Sequence, residues 1–266
     1  MEYTLITGAS GGIGEAVVNR LEERKQNLVL VARNESKLKA LAEKLIGKYD
    51  IKVEYIAADL SKADAPQTIF DETQKRSLTI KMLINNAGIG SGGEFADLDL
   101  QSELNLIQLN NSSLVAMTHL FLQQMKDKKS GTIINVASMA AFMPAPYMAT
   151  YAASKVFVRF FTEAIIEECK PYNIHVLLFC PGLTRTNFNS AAGIDSEKGK
   201  GLGTGYDKNT QTPEEVANEV MKALDEKQHF RVSGSRNRMG ARMMALVPNK
   251  MIANWFAKNY QKNSKK

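Results

Sequence analysis

Short apolar runs alternate with amphipathic helical patterns along most of the chain. The apolar runs are rich in Val, Ile and Leu without clean polar alternation, which predicts strands buried on both faces. The predicted strands cover residues 3–7, 27–32, 52–58, 81–86, 131–138, 174–180 and 228–232. The helical patterns between them cover residues 12–25, 35–48, 62–77, 100–126, 150–170 and 213–226.

The order strand–helix–strand predicts right-handed crossovers and therefore a parallel sheet. We expect an α/β fold of the Rossmann type, with one doubly wound parallel sheet of about seven strands and helices on both faces. No low-complexity linker or internal repeat divides the sequence, so residues 1–266 are interpreted as a single domain that binds a dinucleotide and carries the catalytic groups.

The segment TGASGGIG, residues 7–14, places four glycines between the first predicted strand and the first predicted helix. In this fold that turn faces the ligand crevice, and the helix N-terminus offers free N–H groups to a phosphate. Gly8, Gly12 and Gly14 would let a pyrophosphate approach the backbone. A tight turn without a ligand is the alternative interpretation of the same glycines.

Composition changes this picture little, because 44% hydrophobic and 23% charged residues are ordinary for a globular protein. Cys169 and Cys180 are interpreted as reduced thiols, and with three histidines in the chain no zinc site is expected. The N-terminus lacks the pattern of a signal peptide, and no apolar stretch of about 18 residues occurs. We expect a cytoplasmic protein.

The net charge of +6 belongs to the C-terminus, because residues 231–266 contain nine Lys or Arg and no acidic residue. Residues 233–266 are predicted to form a basic helical extension, split at Pro248 and with Asn249 as a helix N-cap. Weak contact with a membrane surface or an acidic partner is one interpretation. The favoured alternative is packing on the body or on a neighbouring subunit. Nucleic-acid binding is not expected.

Further landmarks follow the glycine turn in a recognisable order: Asp59-Leu60, N85-N86-A87-G88, Asn110, Ser138, Y151-A-A-S-K155, and P181-G182 with Thr186. With this series the chain, from residue 1 to about 232, resembles the short-chain dehydrogenases/reductases. The resemblance implies hydride transfer between a nicotinamide cofactor and a carbonyl or secondary alcohol, and a catalytic tetrad of Ser138, Tyr151, Lys155 and Asn110.

Tyr151 and Lys155 lie four residues apart and therefore share one face of a helix. We expect the ammonium to lower the pKa of the phenol, so that Tyr151 acts as the general acid or base. Ser138 would stabilise negative charge on the substrate oxygen. The resemblance further implies that Lys155 holds the nicotinamide ribose and that Asn110 anchors a water of a proton relay.

The second strand ends at Ala32, the position where NAD-binding folds carry an acidic residue, and Arg33 follows it. A guanidinium there favours the 2′-phosphate of NADP(H), with Lys37 as a helper and a solvated loop charge as the alternative. The full set of expected cofactor contacts, including those implied by the resemblance, is Gly8, Ser10, Gly12, Ile13, Gly14, Arg33, Asp59, Leu60, Asn86, Ala87, Gly88, Tyr151, Lys155, Pro181, Gly182 and Thr186.

Two other functions are alternatives for the same residues. A serine hydrolase would need a histidine near Ser138, and the chain offers His119, His175 and His229 without a nucleophile-elbow motif around the serine. A sensor or scaffold that binds NADP(H) without turnover is the second rival. Among neighbouring polar residues, Ser154 receives no catalytic role.

The glycine-rich segment 183–212 is predicted to form a lid over a small-molecule carbonyl or alcohol substrate. Phe142, Met143 and Met148 suggest an apolar pocket, although such residues also fill cores. The resemblance implies a homodimer or homotetramer in which helices 100–126 and 150–170 pack across a two-fold axis.

Overall fold

The computed structural model describes residues 1–46, 50–193, 202, 206–208 and 210–264. It contains one seven-stranded sheet in the order β3-β2-β1-β4-β5-β6-β7, and every neighbouring pair is parallel. The predicted α/β fold is thus confirmed. The strands are β1 Glu2–Thr7, β2 Asn27–Ala32, β3 Val53–Ala57, β4 Thr79–Asn85, β5 Gly131–Val136, β6 Ile174–Cys180 and β7 Phe230–Val232.

Helices cover both faces of the sheet because the strands are apolar on both sides. One core packs α1, α2 and α8 against the sheet, and a second core packs α3, α5 and α6 against the opposite face. The helices are α1 Gly12–Glu23, α2 Glu35–Ile46, α3 Ala65–Lys75, α4 Leu100–Ile107, α5 Ser113–Asp127, α6 Ala149–Cys169, α7 Phe188–Ala191, α8 Pro213–Asp225, α9 Ser235–Met244 and α10 Asn249–Ser264.

The strand order reverses around β1, which lies between β2 and β4. At such a switch point the loops after neighbouring strands diverge to opposite faces and leave a crevice at the carboxyl ends of the strands. The glycine turn follows β1 and the segment Asn86–Gly88 follows β4, so both border this crevice.

The prediction of one helix over residues 100–126 is wrong in one respect. A turn of π-helix, Gln108–Ser112, separates α4 from α5. Asn110 and Asn111 are buried in this turn and bond to groups outside it: the amide of Asn110 donates to the carbonyl of Ile89 at 2.9 Å, and that of Asn111 to the carbonyl of Ser154 at 2.9 Å. The extra residue of a π turn changes the direction of the side chains around it, and such turns are frequent at functional sites.

A chain of buried amides and hydroxyls ties the sheet to α6. Asn85 donates to Asn135 at 2.9 Å, and Asn135 donates to the hydroxyl of Thr162 at 3.1 Å. Thr162 in turn donates to the carbonyl of Val158 at 2.6 Å. Because buried polar groups are costly without partners, this network fixes the position of α6 on the sheet.

The C-terminal extension forms two helices, as expected, and α10 turns Ile252 and Tyr260 toward the body. Asn249 is the first residue of α10 rather than its N-cap, because the carbonyl of Pro248 accepts the amides of Met251 and Ile252. In the predicted lid, residues 194–201, 203–205 and 209 lie outside the described residues. Among the described helices, none has the length and hydropathy needed to span a membrane.

Candidate active site

The glycine turn after β1 is closed by contacts that only glycine allows. Gly8 and Gly12 have φ angles of 68° and 56°, in the left-handed region. A Cβ on Gly14 would lie 2.1 Å from the carbonyl oxygen of Gly8, so α1 starts directly against the strand.

Gly11 is the N-cap of α1 and offers no side-chain hydrogen bond to it. A Cβ on Gly11 would meet nothing within 4 Å. The N-terminus of α1 thus has no side-chain cap, which suits the binding of a phosphate.

The segment after β4 is fastened to the same turn through Thr7. The hydroxyl of Thr7 accepts the backbone N–H groups of Asn86 and Ala87, both at 3.0 Å. The amide of Asn86 donates to the carbonyl of Thr7 at 2.9 Å. A Cβ on Gly88 would lie 3.4 Å from the Lys155 ammonium, so this segment reaches from the glycine turn to the catalytic helix.

Arg33 and Asp59 lie at the far end of the crevice, after β2 and β3. Burial opposes ionisation of Asp59, but hydrogen bonds from Ser61 and the charges of Arg33 and Lys62 lower its pKa. Arg33 is exposed, so its guanidinium is available to a ligand. Leu60 is buried, and its carbonyl accepts the hydroxyl of Ser113 at 2.5 Å. Ser10 and Ile13 are half-buried in the glycine turn and the first turn of α1.

Ser138 and Tyr151 are brought together by the loop between β5 and α6. Ser138 follows β5 and caps a short 3₁₀ turn, accepting the N–H of Ala140 at 3.1 Å. Tyr151 lies in the first turn of α6 and is buried. The side chain of Ser138 lies close enough to favour the ionised form of the Tyr151 phenol. The hydroxyls of Ser138 and Tyr151 thus lie together in an apolar environment, where both can form hydrogen bonds with a substrate oxygen.

The expectation that Lys155 lowers the pKa of Tyr151 is wrong for the protein without ligand. Burial raises the pKa of the phenol above its usual value of 10.0, and the side chain of Ser138 only partly opposes it. The ammonium of Lys155 lies 6.0 Å from the centroid of the tyrosine ring. Desolvation therefore outweighs the charge, and Tyr151 is held in its protonated form.

Lys155 is buried one turn further along α6, and its ammonium donates to the carbonyl of Val136 at 3.1 Å. Burial lowers the pKa of this ammonium from its usual 10.5 to about 8. The group is thus largely charged at neutral pH but can lose its proton at moderately alkaline pH.

Asn110 is 1% exposed, and its side chain forms three hydrogen bonds. Its amide donates to the carbonyl of Ile89 at 2.9 Å and to the hydroxyl of Ser154 at 3.0 Å, and its oxygen accepts the N–H of Ile89 at 3.0 Å. Ser154 donates to the carbonyl of Tyr151 at 2.7 Å. Sequence reasoning gave Ser154 no role, yet this serine connects Asn110 to the helix that carries Tyr151 and Lys155.

The loop after β6 closes the crevice from the other side. A Cβ on Gly12 would lie 3.2 Å from Thr186, which brings the glycine turn close to this loop. The carbonyl of Pro181 accepts the N–H of Met139 at 2.9 Å, next to Ser138. A Cβ on Gly182 would lie 2.2 Å from the amide of Asn237, so α9 packs against the same loop.

Phe188, in α7, is a site residue that sequence reasoning missed. Its ring centroid lies 5.6 Å from that of Tyr151, and a Cβ on Gly90 would lie 2.9 Å from the same ring. Phe142, by contrast, packs toward β7: its ring lies 6.2 Å from that of Phe230 and 4.5 Å from the guanidinium of Arg159. Phe142 is half-buried against a core cluster beside β7, and these contacts do not place it in an apolar pocket.

The three histidines make structural contacts away from Ser138. His119 is bonded to Gln123, while the rings of His175 and His229 are bonded to backbone carbonyls of Gln228 and Val176. None of these histidines is therefore placed to activate Ser138 as a nucleophile. Nor do the described residues bring three metal-ligating side chains together.

Comparison with known proteins identifies the family. Residues 2–197 match the sequence model of the family described as short chain dehydrogenase. The chain is a short-chain dehydrogenase/reductase. It is 31% identical over 237 residues to a 7beta-hydroxysteroid dehydrogenase of Mediterraneibacter gnavus, covering 89% of this chain and 88% of that protein. The family membership makes it an oxidoreductase that transfers hydride between its cofactor and a carbonyl or alcohol.

Two solved structures show the same fold. A short-chain dehydrogenase from Sphingobium yanoikuyae in complex with NADPH superposes with a TM-score of 0.82 at 29% identity, covering 92% of both chains. The bulky-bulky ketone specific alcohol dehydrogenase from Comamonas testosteroni superposes with a TM-score of 0.76 at 26% identity, covering 92% of this chain and 93% of that one.

Proposed function

We propose that this oxidoreductase uses NADP(H) to interconvert bulky apolar ketones and their secondary alcohols. The observation that carries the proposal is the convergence of Ser138, Tyr151, Lys155 and Asn110 beside a glycine turn built for a phosphate. The bound nicotinamide would supply or accept the hydride at the carbonyl carbon. The side chains of this protein would bind the substrate and transfer the proton.

Tyr151 is the proposed general acid in the direction of reduction. Its raised pKa keeps the proton on the phenol until a carbonyl oxygen beside it becomes negative, and the proton then moves from the tyrosine oxygen to the substrate oxygen. Ser138 would donate a second hydrogen bond to that oxygen. In the direction of oxidation, the phenolate of Tyr151 would take the proton back from the alcohol.

Lys155 and Asn110 are proposed to restore the proton of Tyr151. The charged ammonium favours the phenolate that remains after transfer, and it would also hold the nicotinamide ribose. Asn110 would bind a water that connects Lys155 to solvent. Ser154 is a positioning residue, since it bonds Asn110 on one side and the backbone of Tyr151 on the other.

The crevice fits a dinucleotide because the N-terminus of α1 has no side-chain cap and a Cβ on Gly11 would meet nothing within 4 Å, which leaves room for a pyrophosphate. Asp59 and Leu60 would contact the adenine, and the loop after β6 would contact the nicotinamide. The proposed set of cofactor residues remains Gly8, Ser10, Gly12, Ile13, Gly14, Arg33, Asp59, Leu60, Asn86, Ala87, Gly88, Tyr151, Lys155, Pro181, Gly182 and Thr186.

The preference for NADP(H) rests on Arg33, which is exposed beside the crevice. The similar enzyme of Sphingobium yanoikuyae is described in complex with NADPH. We expect Arg33→Ala to weaken NADPH binding about 10- to 100-fold, the worth of a charge-assisted hydrogen bond, and to leave NADH binding unchanged. Fluorescence titration of both cofactors measures this. Lys39→Ala, on the exposed face of α2, is the matched control, and equal losses for both cofactors would contradict the assignment.

A bulky apolar substrate is favoured by Phe188, whose ring lies beside that of Tyr151. Two similar proteins are named for large substrates, a hydroxysteroid and a bulky-bulky ketone. Segment 183–212, which contains Phe188, is the proposed lid over this substrate.

We propose a homodimer or homotetramer built on α4 and α6, which are neighbours in the fold. Both helices expose large apolar side chains that a second subunit would cover: Leu100, Leu104, Ile107, Phe157 and Phe160.

The proposed reaction is tested by the oxidation of NADPH and NADH, followed by absorbance, with a panel of bulky and small ketones. We expect turnover of bulky apolar ketones with a preference for NADPH. Tight binding of NADPH without turnover of any member of the panel would favour the sensor or scaffold instead.

A further inference from the structure

The turn between α9 and α10 projects a cluster of apolar side chains into solvent. Residues 245–250 are all exposed, and Leu246 at the tip is 85% exposed. Met251 and Trp255 continue the cluster along α10, at 62% and 61% exposure. Met239, Met243 and Val247 complete it, and we call these six residues the tail patch. Contiguous exposed apolar side chains of this kind mark an interaction surface.

Positive charge surrounds the tail patch. The exposed cations around it are Arg236, Arg242, Lys250, Lys258 and Lys262. On α10, Met251, Trp255, Lys258 and Lys262 follow each other at intervals of three or four residues and so share one face. Two further cations already have an acidic partner, because Arg231 in β7 and Arg238 in α9 both pair with Glu219.

We propose that the tail patch docks the protein on an anionic lipid surface. Apolar side chains with an interfacial tryptophan, flanked by lysines and arginines, are the composition of helices that lie in a membrane interface. A second copy of this chain is disfavoured, since equal patches would bring like charges together. A folded acidic partner would have to enclose a projecting turn, whereas a bilayer accommodates it directly.

The helix α10, which carries part of the tail patch, also contacts a loop of the active site. On its inner side α10 stacks Tyr260 on Tyr147, with ring centroids 3.4 Å apart, and Tyr147 belongs to the loop between Ser138 and Tyr151. The acidic residues Glu94 and Asp97 also face Tyr260 there, on the side away from the tail patch. Docking would therefore bring the loop that precedes Tyr151 close to the lipid surface.

Trp255 is the only tryptophan of the chain, so its fluorescence reports on the tail patch alone. The full-length protein is mixed with vesicles of phosphatidylcholine, with or without phosphatidylglycerol, and without substrate or cofactor. We expect cosedimentation and a shift of the Trp255 emission to shorter wavelength only with the anionic vesicles, and both should weaken at high salt. Because no turnover is measured, failure here is distinct from failure of the proposed reaction.

Two double variants test which residues carry the binding. Lys258→Glu/Lys262→Glu should weaken cosedimentation with anionic vesicles by at least about tenfold, given the contribution of each cation near a charged membrane. Met251→Ser/Trp255→Ser should weaken it as well. Lys39→Glu/Lys44→Glu on α2 is the matched control with the same change of charge, and thermal melting confirms that each variant is folded.

Three outcomes would overturn the proposal. The first is equal binding to both kinds of vesicle, or to neither. The second is binding that both tail variants retain. The third is a shift of the Trp255 emission with protein concentration alone or with polyglutamate but not with vesicles, which would assign the tail patch to a second copy or to an acidic protein.

Discussion

At the scale of single residues, the site combines the Tyr151 phenol, which is held protonated, with the Lys155 ammonium, whose pKa is lowered to about 8. Both pKa shifts have the same cause, because burial disfavours the charged form of each group. It raises the pKa of Tyr151 and lowers that of Lys155. The pair is therefore suited to give a proton to a substrate at neutral pH and to lose this ability when Lys155 becomes neutral.

This titration predicts the pH dependence of carbonyl reduction. The Lys155 ammonium is charged below its pKa of about 8, so kcat/KM should be level at lower pH and fall as the pH rises through about 8. Lys155→Arg should be less active, because a guanidinium fits the lysine position poorly, but its profile should not fall near that pH. Initial rates across the pH range measure both profiles. A wild-type rate that does not change through this range would contradict the assignment.

At the scale of elements, the glycine turn fixes how α1 meets β1. Gly14→Ala would place a Cβ against the backbone of Gly8, where no flexible side chain can give way. We expect a loss of about 3 kcal/mol in the free energy of unfolding, the upper end for overpacking, together with loss of NADPH binding. Gly11→Ala is the control: its φ of 172° suits any residue, and nothing lies within 4 Å of the new methyl group.

Urea unfolding of the two variants without cofactor makes the comparison. Equal stability of Gly14→Ala and the wild type would show that the turn relaxes, and the close packing would then not explain the glycine.

The regular elements could be predicted from the sequence because their signals are local. β2 is an uninterrupted apolar run after Asn27, β1 is buried beyond Glu2, and the turn between β1 and α1 is rich in glycine. The π turn at Asn110 has no such signal, since it depends on bonds to Ile89 and Ser154 that the fold brings near. Phe188 was missed for the same reason: its contact with Tyr151 joins segments that only the tertiary structure places together.

At the scale of the whole molecule, two of the apolar regions on the described surface differ in character. The faces of α4 and α6 carry Leu104 and Phe160 and lie together, whereas the tail patch projects among cations. The proposed subunit interface would explain the first region, and the proposed lipid docking would explain the second. The two assignments are independent, because neither region shares a residue with the other.

The subunit interface predicts the mass in solution. The wild type should have a mass of two or four times 29.4 kDa by light scattering. Leu104→Glu/Phe160→Glu should yield a folded monomer, because carboxylates buried between subunits would be desolvated without partners. Ile46→Glu, an exposed apolar position on α2, should leave the oligomer intact. A monomeric wild type would contradict the interface.

The central claim is that Tyr151 transfers the proton during hydride transfer, and Tyr151→Phe tests it most directly. NADPH oxidation with a bulky apolar ketone is compared among wild type, Tyr151→Phe and the control Tyr172→Phe, with NADPH affinity measured for each. We predict a loss of at least about 100-fold in kcat/KM for Tyr151→Phe alone, while the variant still binds NADPH. Wild-type turnover by Tyr151→Phe would contradict the account and place the proton donor elsewhere.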